Sequence, residues 1–235
     1  MFFWLVVLVL LYLAAIVIVA VGLPFVLFPP GHQTKAGQVQ RWGEEHPRWV
    51  LYLPGNAEDV TAQNWMVAWF LRHNWGVVTV GYARSFDRTE KAILAAVRDE
   101  RARRNQQPWG VYSHSLGSCF APTVCQIFAG EPKFAIYATP LSSVSRLVTH
   151  HSRYLLGPVA PYLWGADRGI LRHNIVEPLP LVLLAENDTL TPADETRSAL
   201  AEHKVETCGV HVFRGGHNDL FHDPAFSQVL EAHLE

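Results

Sequence analysis

Short apolar runs rich in β-forming residues alternate with helical stretches through most of the 235-residue chain, and this alternation leaves few architectures open. The runs are RWVLYLP (Arg48–Pro54), GVVTVGY (Gly76–Tyr82), WGVYS, KFAIYA, LPLVLLA and GVHVFR. Between them lie helical segments: one through Trp65, Trp69 and Leu71, one from about Asp87 to Gln106, and one from Ser115 to about Phe128. An irregular helical stretch runs to Val176, followed by helices from Pro192 to Lys204 and from about Pro224. Asp87 with Glu90 resembles an N-cap pair, and Thr191 with Pro192 resembles an N-cap and first-turn pair. Strand–helix alternation of this kind predicts βαβ units, a mainly parallel sheet, and helices on both faces. The run RDERARR (Arg98–Arg104) has the pattern of a solvated helix face.

The first thirty residues are a different kind of polymer. All 40 charged residues, 19 basic and 21 acidic, lie after Pro30. Met1 to Leu23 is uncharged; as a helix rising about 1.5 Å per residue it reaches roughly 33 Å, enough for a bilayer core of about 30 Å. Pro24 is expected to end that helix. A cleaved signal peptide is the rival, with Ala20-Val21-Gly22 as a passable cleavage site. Against it, no basic residues precede the apolar stretch, and that stretch is longer than a signal sequence needs. The sequence therefore predicts an anchor over 1–24, a linker with a possible residual hairpin (GQVQRW) over 25–47, and a folded domain over 48–235. Lys35, Arg41 and Arg48 after the anchor favour a cytoplasmic domain on a single-pass membrane protein.

Composition narrows function by exclusion. A net charge of −2 supplies no uncompensated basic surface for a dominant polyanion-binding role, so no nucleic-acid partner is expected. At 49% hydrophobic with eight Trp, the chain can bury a core. Cys119, Cys125 and Cys208 lack metal-site spacing and cannot all pair.

In an open parallel sheet, chemistry collects at the carboxyl ends of the strands. Gly110 to Ser118 (GVYSHSLGS) runs from a strand directly into a helix, with Ser115 at the centre of an S-x-S-x-G window. A nucleophile elbow needs small flanking residues, and Ser113 and Gly117 occupy those positions. Asp188 follows the strand LPLVLLA by three residues, where a carboxylate can orient a histidine. Asp194 lies in a helical first turn and suits the dipole there. His217 follows the last strand in a glycine-bearing loop, completing the order Ser115, Asp188, His217. His150, His151 and His222 fit surface or helix-end positions, and His114 is expected to point away from the sheet edge the other three share. In LPGNAED, a turn at Gly55 would present the Asn56 N–H; with the Leu116 N–H this makes a candidate oxyanion hole.

The blocks LYLPGNAED, VYSHSLGS, LPLVLLAENDTLTP and FRGGHND resemble the α/β-hydrolase superfamily from about Arg48 to the C-terminus, most closely its small members behind an N-terminal anchor. The resemblance implies a three-layer α/β-hydrolase fold with a shortened N-terminal hairpin and a small cap or none. It implies Ser115 as nucleophile, Asp188 as orienter, His217 as base, and Asn56 and Leu116 as oxyanion donors. Neither metal nor organic cofactor is required. Pro54 replaces a histidine common in the family, and Ser113 replaces a glycine. The expected reaction is hydrolysis of a carboxylic ester, thioester or amide of a small or lipid-like acyl substrate through an acyl-enzyme. The competing functions are a catalytically silent, membrane-tethered binding protein and an acyltransferase. Apolar sequence between Pro140 and Pro178 suits either an acyl pocket or two short packed helices.

Overall fold

The computed structural model describes residues 2–27, 35–56, 58, 60–152, 168–172 and 177–234. Seven strands form one sheet: β1 (Val39–Trp42), β2 (Trp49–Leu53), β3 (Gly76–Val80), β4 (Trp109–His114), β5 (Ala135–Ala138), β6 (Leu181–Ala185) and β7 (Gly209–Phe213). Their order is β1-β3-β2-β4-β5-β6-β7. β1 pairs antiparallel with β3, and every other pairing is parallel.

Alternation within β2 shows why the sheet needs cover on both sides. Trp49, Leu51 and Leu53 enter one apolar cluster, while Val50 and Tyr52 enter the other. All five are buried, as expected of a strand with helices over both faces. The first face is covered by α3 (Phe86–Arg103), α4 (Ala121–Ile127), α5 (Val144–His151) and α6 (Ala193–Glu202). The second is covered by α2 (Trp65–Arg72) and α7 (Pro224–Leu234). Trp49 and Trp109, register partners on β2 and β4, stack with centroids 5.0 Å apart on the first face.

Several local expectations need correction. GQVQRW does not form a hairpin; it supplies one antiparallel edge strand, β1, so the sheet begins within the segment expected to be linker. α1 (Phe2–Leu27) continues three residues beyond Pro24, since a proline removes one backbone donor without forbidding a helical φ. Ser85, not Asp87, precedes α3, and Asp87 instead bonds Arg168. The helix expected from Ser115 is divided: a 3₁₀ turn covers Ser115–Cys119, and α4 begins at Ala121 with Pro122 in its first turn. Residues 153–167 and 173–176, where the expected cap or short helices fall, lie outside the described residues.

Among the described residues, no helix is long and apolar enough to cross a membrane. In α1 the described side chains run unbroken only from Phe3 to Val19. Tyr12, Ile16 and Val19 pack against the first apolar cluster, and Leu27 is buried in it. Elsewhere along the helix Leu8, Leu11 and Ile18 are exposed.

The RDERARR run is not wholly a solvated face. Glu100 is fully buried and receives Arg41 of β1 at 2.8 Å, Arg103 at 2.5 Å and Arg104 at 2.6 Å. Burial alone would raise its carboxyl pKa, but three guanidiniums outweigh that and bring it down to about 2. The ionised carboxylate thus fixes the edge strand to α3. A depressed folded pKa means that this stabilisation is present above the ordinary glutamate range and is lost as pH falls toward 2. Glu100→Gln should lower unfolding stability at neutral pH by about 2–3 kcal/mol, at or below the low end for a broken buried pair because Arg41 and Arg103 keep contact with water. Urea titrations at pH 7 and near pH 3 check this, with the mutant–wild-type difference shrinking at the lower pH.

Candidate active site

β4 delivers its chain into the 3₁₀ turn with no intervening loop, and Ser115 takes a left-handed φ of +47° at the junction. A non-glycine residue there is held only if its surroundings enforce it. Gly117 shows what enforces it: a Cβ at that position would lie 2.0 Å from the Leu53 carbonyl oxygen. The turn therefore packs directly on the end of β2. Ser118 adds a second restraint, donating to the Ser115 carbonyl at 2.6 Å and accepting the Leu141 N–H at 2.9 Å. The unusual Ser113 is fully buried, with its hydroxyl 3.4 Å from the Ile136 carbonyl of β5, so the sheet accommodates the added group.

The side chains expected to act together meet. Ser115 Oγ lies 2.7 Å from His217 Nε2, and His217 Nδ1 lies 2.7 Å from Asp188 Oδ2. Because Asp188 accepts at Nδ1, the bonding pattern assigns the proton to that nitrogen and leaves Nε2 to accept from the serine. β6 and β7 are adjacent with Ala185 in register with Phe213, which brings the two following loops together.

Asp188 is buried, and its ionisation is supported by more than the histidine. Oδ1 accepts the N–H groups of Leu190 and Thr191, each at 2.8 Å. The Thr191 hydroxyl donates to Oδ2, also at 2.8 Å. Burial would raise the carboxyl pKa, yet the bonds from His217 and Thr191 hold it below the ordinary aspartate value. Thr191 was expected as a helix cap, but Pro192 occupies the cap position of α6 and Thr191 serves the carboxylate. Asp194 stands in the first turn of α6 with its side chain exposed.

The expectation for His114 is overturned. Its ring lies 5.5 Å from that of His217, centroid to centroid, on the same side of the sheet edge. Nδ1 lies 2.9 Å from Glu58 Oε2, and Nε2 lies 3.3 Å from the His217 carbonyl oxygen. Glu58 also accepts the Gly55 N–H at 2.7 Å, the Asn64 side-chain amide at 3.0 Å and the Tyr52 hydroxyl. Burial opposes Glu58 ionisation, but His114, the Tyr52 hydroxyl and the Gly55 N–H lower its pKa to about 2. For His114, burial acts downward, Glu58 outweighs it, and the net shift is upward. His114 is still extended, with φ −120°, and its partner Glu58 lies 56 residues earlier, so the local sequence marks neither the contact nor the part Glu58 plays in it.

Two cavities meet at Ser115. One, of about 290 Å³, is mainly apolar and is lined by Leu27, Leu116, Leu141, Val148 and Leu190 together with His151. His151 is therefore a wall residue as well as a helix-end residue. The other, of about 420 Å³, is more polar and is bounded by Glu58, His114, Asn218 and Phe221. Asn56 borders both, and Leu116 borders the apolar one, so both expected oxyanion donors lie in residues beside the serine. Among the described residues no cluster of His, Cys, Asp and Glu is suited to a metal.

No protein-family model matches the sequence. No curated protein matches it either. Solved structures do match in three dimensions. The Pyrococcus furiosus esterase Pf2001 is 14% identical, with a TM-score of 0.63 over 83% of this chain and 86% of that one. The Paleococcus ferrophilus monoacylglycerol lipase is 13% identical, with a TM-score of 0.56 over 84% of this chain and 96% of that one. A thioesterase domain from the curacin biosynthetic pathway is 16% identical, with a TM-score of 0.55 over 84% of this chain and 94% of that one. With its seven-stranded, mostly parallel sheet and covering helices, the chain has the α/β-hydrolase fold.

Thr191→Val removes one of the Asp188 donors while keeping the backbone N–H. It should raise the Asp188 carboxyl pKa toward the ordinary aspartate value, because one of the donors that hold it down is gone. A ¹³C NMR titration of the Asp188 carboxyl in the two proteins checks this.

Proposed function

We propose that this protein is a membrane-anchored serine hydrolase that cleaves a carboxylic ester, thioester or amide. The observation that carries the proposal is the continuous line from Ser115 Oγ through His217 to Asp188, with both contacts at 2.7 Å, at a point where two cavities meet. In the proposed reaction His217 Nε2 takes the Ser115 proton as Oγ bonds to the acyl carbonyl carbon. The backbone N–H groups of Asn56 and Leu116 receive the developing oxyanion. The imidazolium then returns its proton to the leaving group as the carbon–leaving-group bond breaks, giving an acyl-enzyme. Water, deprotonated by the same histidine, bonds to the acyl carbon; the carbon–Oγ bond then breaks as His217 returns the proton to Ser115 Oγ, and the acid is released.

The contrast between the cavities supports an amphipathic substrate. An acyl chain suits the walls formed by Leu116, Leu141 and Val148, and a polar leaving group suits the cavity beside Asn218 and His114. Esterase, lipase and thioesterase structures on the same fold are consistent with acyl substrates of this type. α1 is proposed as the anchor, with the catalytic domain on the cytoplasmic side. Its 26 residues are uncharged, and Leu27 at its end borders the apolar cavity, so a tethered enzyme would meet lipid-like substrates beside the bilayer.

A fluorophosphonate should label the wild type and leave Ser115→Ala unlabelled; equal labelling of both proteins, or of neither, overturns the nucleophile. With esters of graded chain length, kcat/KM should rise about two- to fourfold per added methylene until the apolar cavity is filled, as follows from about 0.8 kcal/mol per buried methylene. A flat series would remove the acyl assignment of that cavity. Carbonate extraction should leave the full chain in the membrane fraction, and protease protection should report its side; release into the supernatant would end the anchor proposal.

A further inference from the structure

His114 stands where three segments converge. It belongs to the elbow itself, one residue before Ser115. Through Nδ1 it reaches Glu58, whose carboxylate also holds the Gly55 N–H and so fixes the turn that presents Asn56. Through Nε2 it reaches the backbone carbonyl of His217. The site is built closely around this arrangement: a Cβ on Gly55 would lie 2.9 Å from His114 Nδ1. Both ring nitrogens therefore face oxygen acceptors, a carboxylate on one side and a carbonyl on the other. Neither acceptor can donate, so both contacts form only when both nitrogens carry protons.

We infer that His114 is a positioning residue that works as an imidazolium: paired with Glu58, it ties the loop of Asn56 to the loop of His217 across the base of Ser115. This inference rests on the hydrolase proposal and adds a second histidine to it, with the opposite protonation requirement. His217 must be neutral to accept the serine proton, whereas His114 must be charged to hold the loops. Pairing with Glu58 keeps the unit close to neutral overall, so the positive charge that forms on His217 during turnover does not face a net cationic neighbour. The other ionisable groups facing His114 are Asp188 from the β6 loop and His217 from the β7 loop. Tyr52 and Tyr112 lie behind Glu58, and burial raises their phenol pKa values well above the ordinary, so they stay neutral.

The sign of the pH effect follows. Glu58 raises the His114 pKa, so the imidazolium persists as pH rises past the ordinary histidine range and is lost only above that raised value. Removing the Glu58 charge leaves burial as the dominant influence, and His114 then becomes neutral at lower pH.

The test combines a spectroscopic signature with a pH profile on the full chain in detergent. In the wild type, ¹⁵N-resolved NMR of the His114 ring should show two N–H protons at about pH 7, where an unperturbed histidine is mostly neutral. In Glu58→Gln the ring should carry one. The kcat of Glu58→Gln on an acyl ester should fall about 10- to 100-fold near neutral pH, the order expected for sub-ångström misplacement, with KM changed less than about twofold. Part of that loss should be recovered at lower pH relative to the wild type, as the His114 ring regains its proton. His114→Gln keeps one donor and cannot titrate, so its kcat should be lowered without that added pH dependence. Singly protonated His114 in the wild type near pH 7, or a Glu58→Gln profile parallel to the wild type, overturns the inference. The ring measurement needs no turnover and decides the matter even if a variant folds poorly. Failure of the hydrolase proposal itself is read separately, from fluorophosphonate labelling of Ser115.

Discussion

The contact on which the site depends is backbone against backbone. At Gly117 the 3₁₀ turn lies so close to the end of β2 that even a methyl group would meet the Leu53 carbonyl at 2.0 Å. That approach sets the height of Ser115 above the sheet, and it also places the serine beside the segment leaving β2, which carries Gly55, Asn56 and Glu58. The positive φ of Ser115 is a consequence: the chain must reverse within one residue between a buried strand and a turn already in contact with its neighbour. Ser118 and Leu141 join the same turn to the chain after β5. Ser115, the segment that carries Asn56 and the chain after β5 are thereby positioned by the packing of one small residue.

Around this fixed point the charges are arranged in two carboxylate–histidine pairs. His217, paired with Asp188, borders both cavities, while Glu58 and His114 border only the more polar one. Each carboxylate is buried against a cost and is kept ionised by several donors, two of them backbone N–H groups for Asp188 and one for Glu58. The two pairs differ in what the histidine faces. His217 Nε2 meets a hydroxyl that can give up a proton, whereas His114 Nε2 meets a carbonyl that cannot. Similar side-chain chemistry thus suits one pair to proton transfer and the other to holding position.

Much of the fold could be read from the chain because period-2 burial and strand-terminal loops leave local marks. RWVLYLP, GVVTVGY and LPLVLLA are buried strands, and Ser115, Asp188 and His217 fall just beyond strand ends, where an open parallel sheet gathers polar groups. The misses have different physical causes. Glu100 looks like one member of a solvated run until Arg41, 59 residues earlier, is placed beside it. Thr191 has a cap residue's chemistry and is used instead by Asp188. The proline expected to end α1 does not end it, because a single missing donor is a finite cost that neighbouring helical residues can offset.

The sequence by itself determined the order of strands and helices, the uncharged leading helix, and which three residues follow strands in the order serine, aspartate, histidine. These are properties of local pattern, carried by hydrophobic period and turn chemistry within a few residues. Only the tertiary structure decided that β1 is a lone antiparallel edge strand, that Leu27 reaches the apolar cavity, and that His114 turns toward Glu58 and His217. Those outcomes depend on which segments pack together across 35 to 103 residues of chain, which no local pattern records.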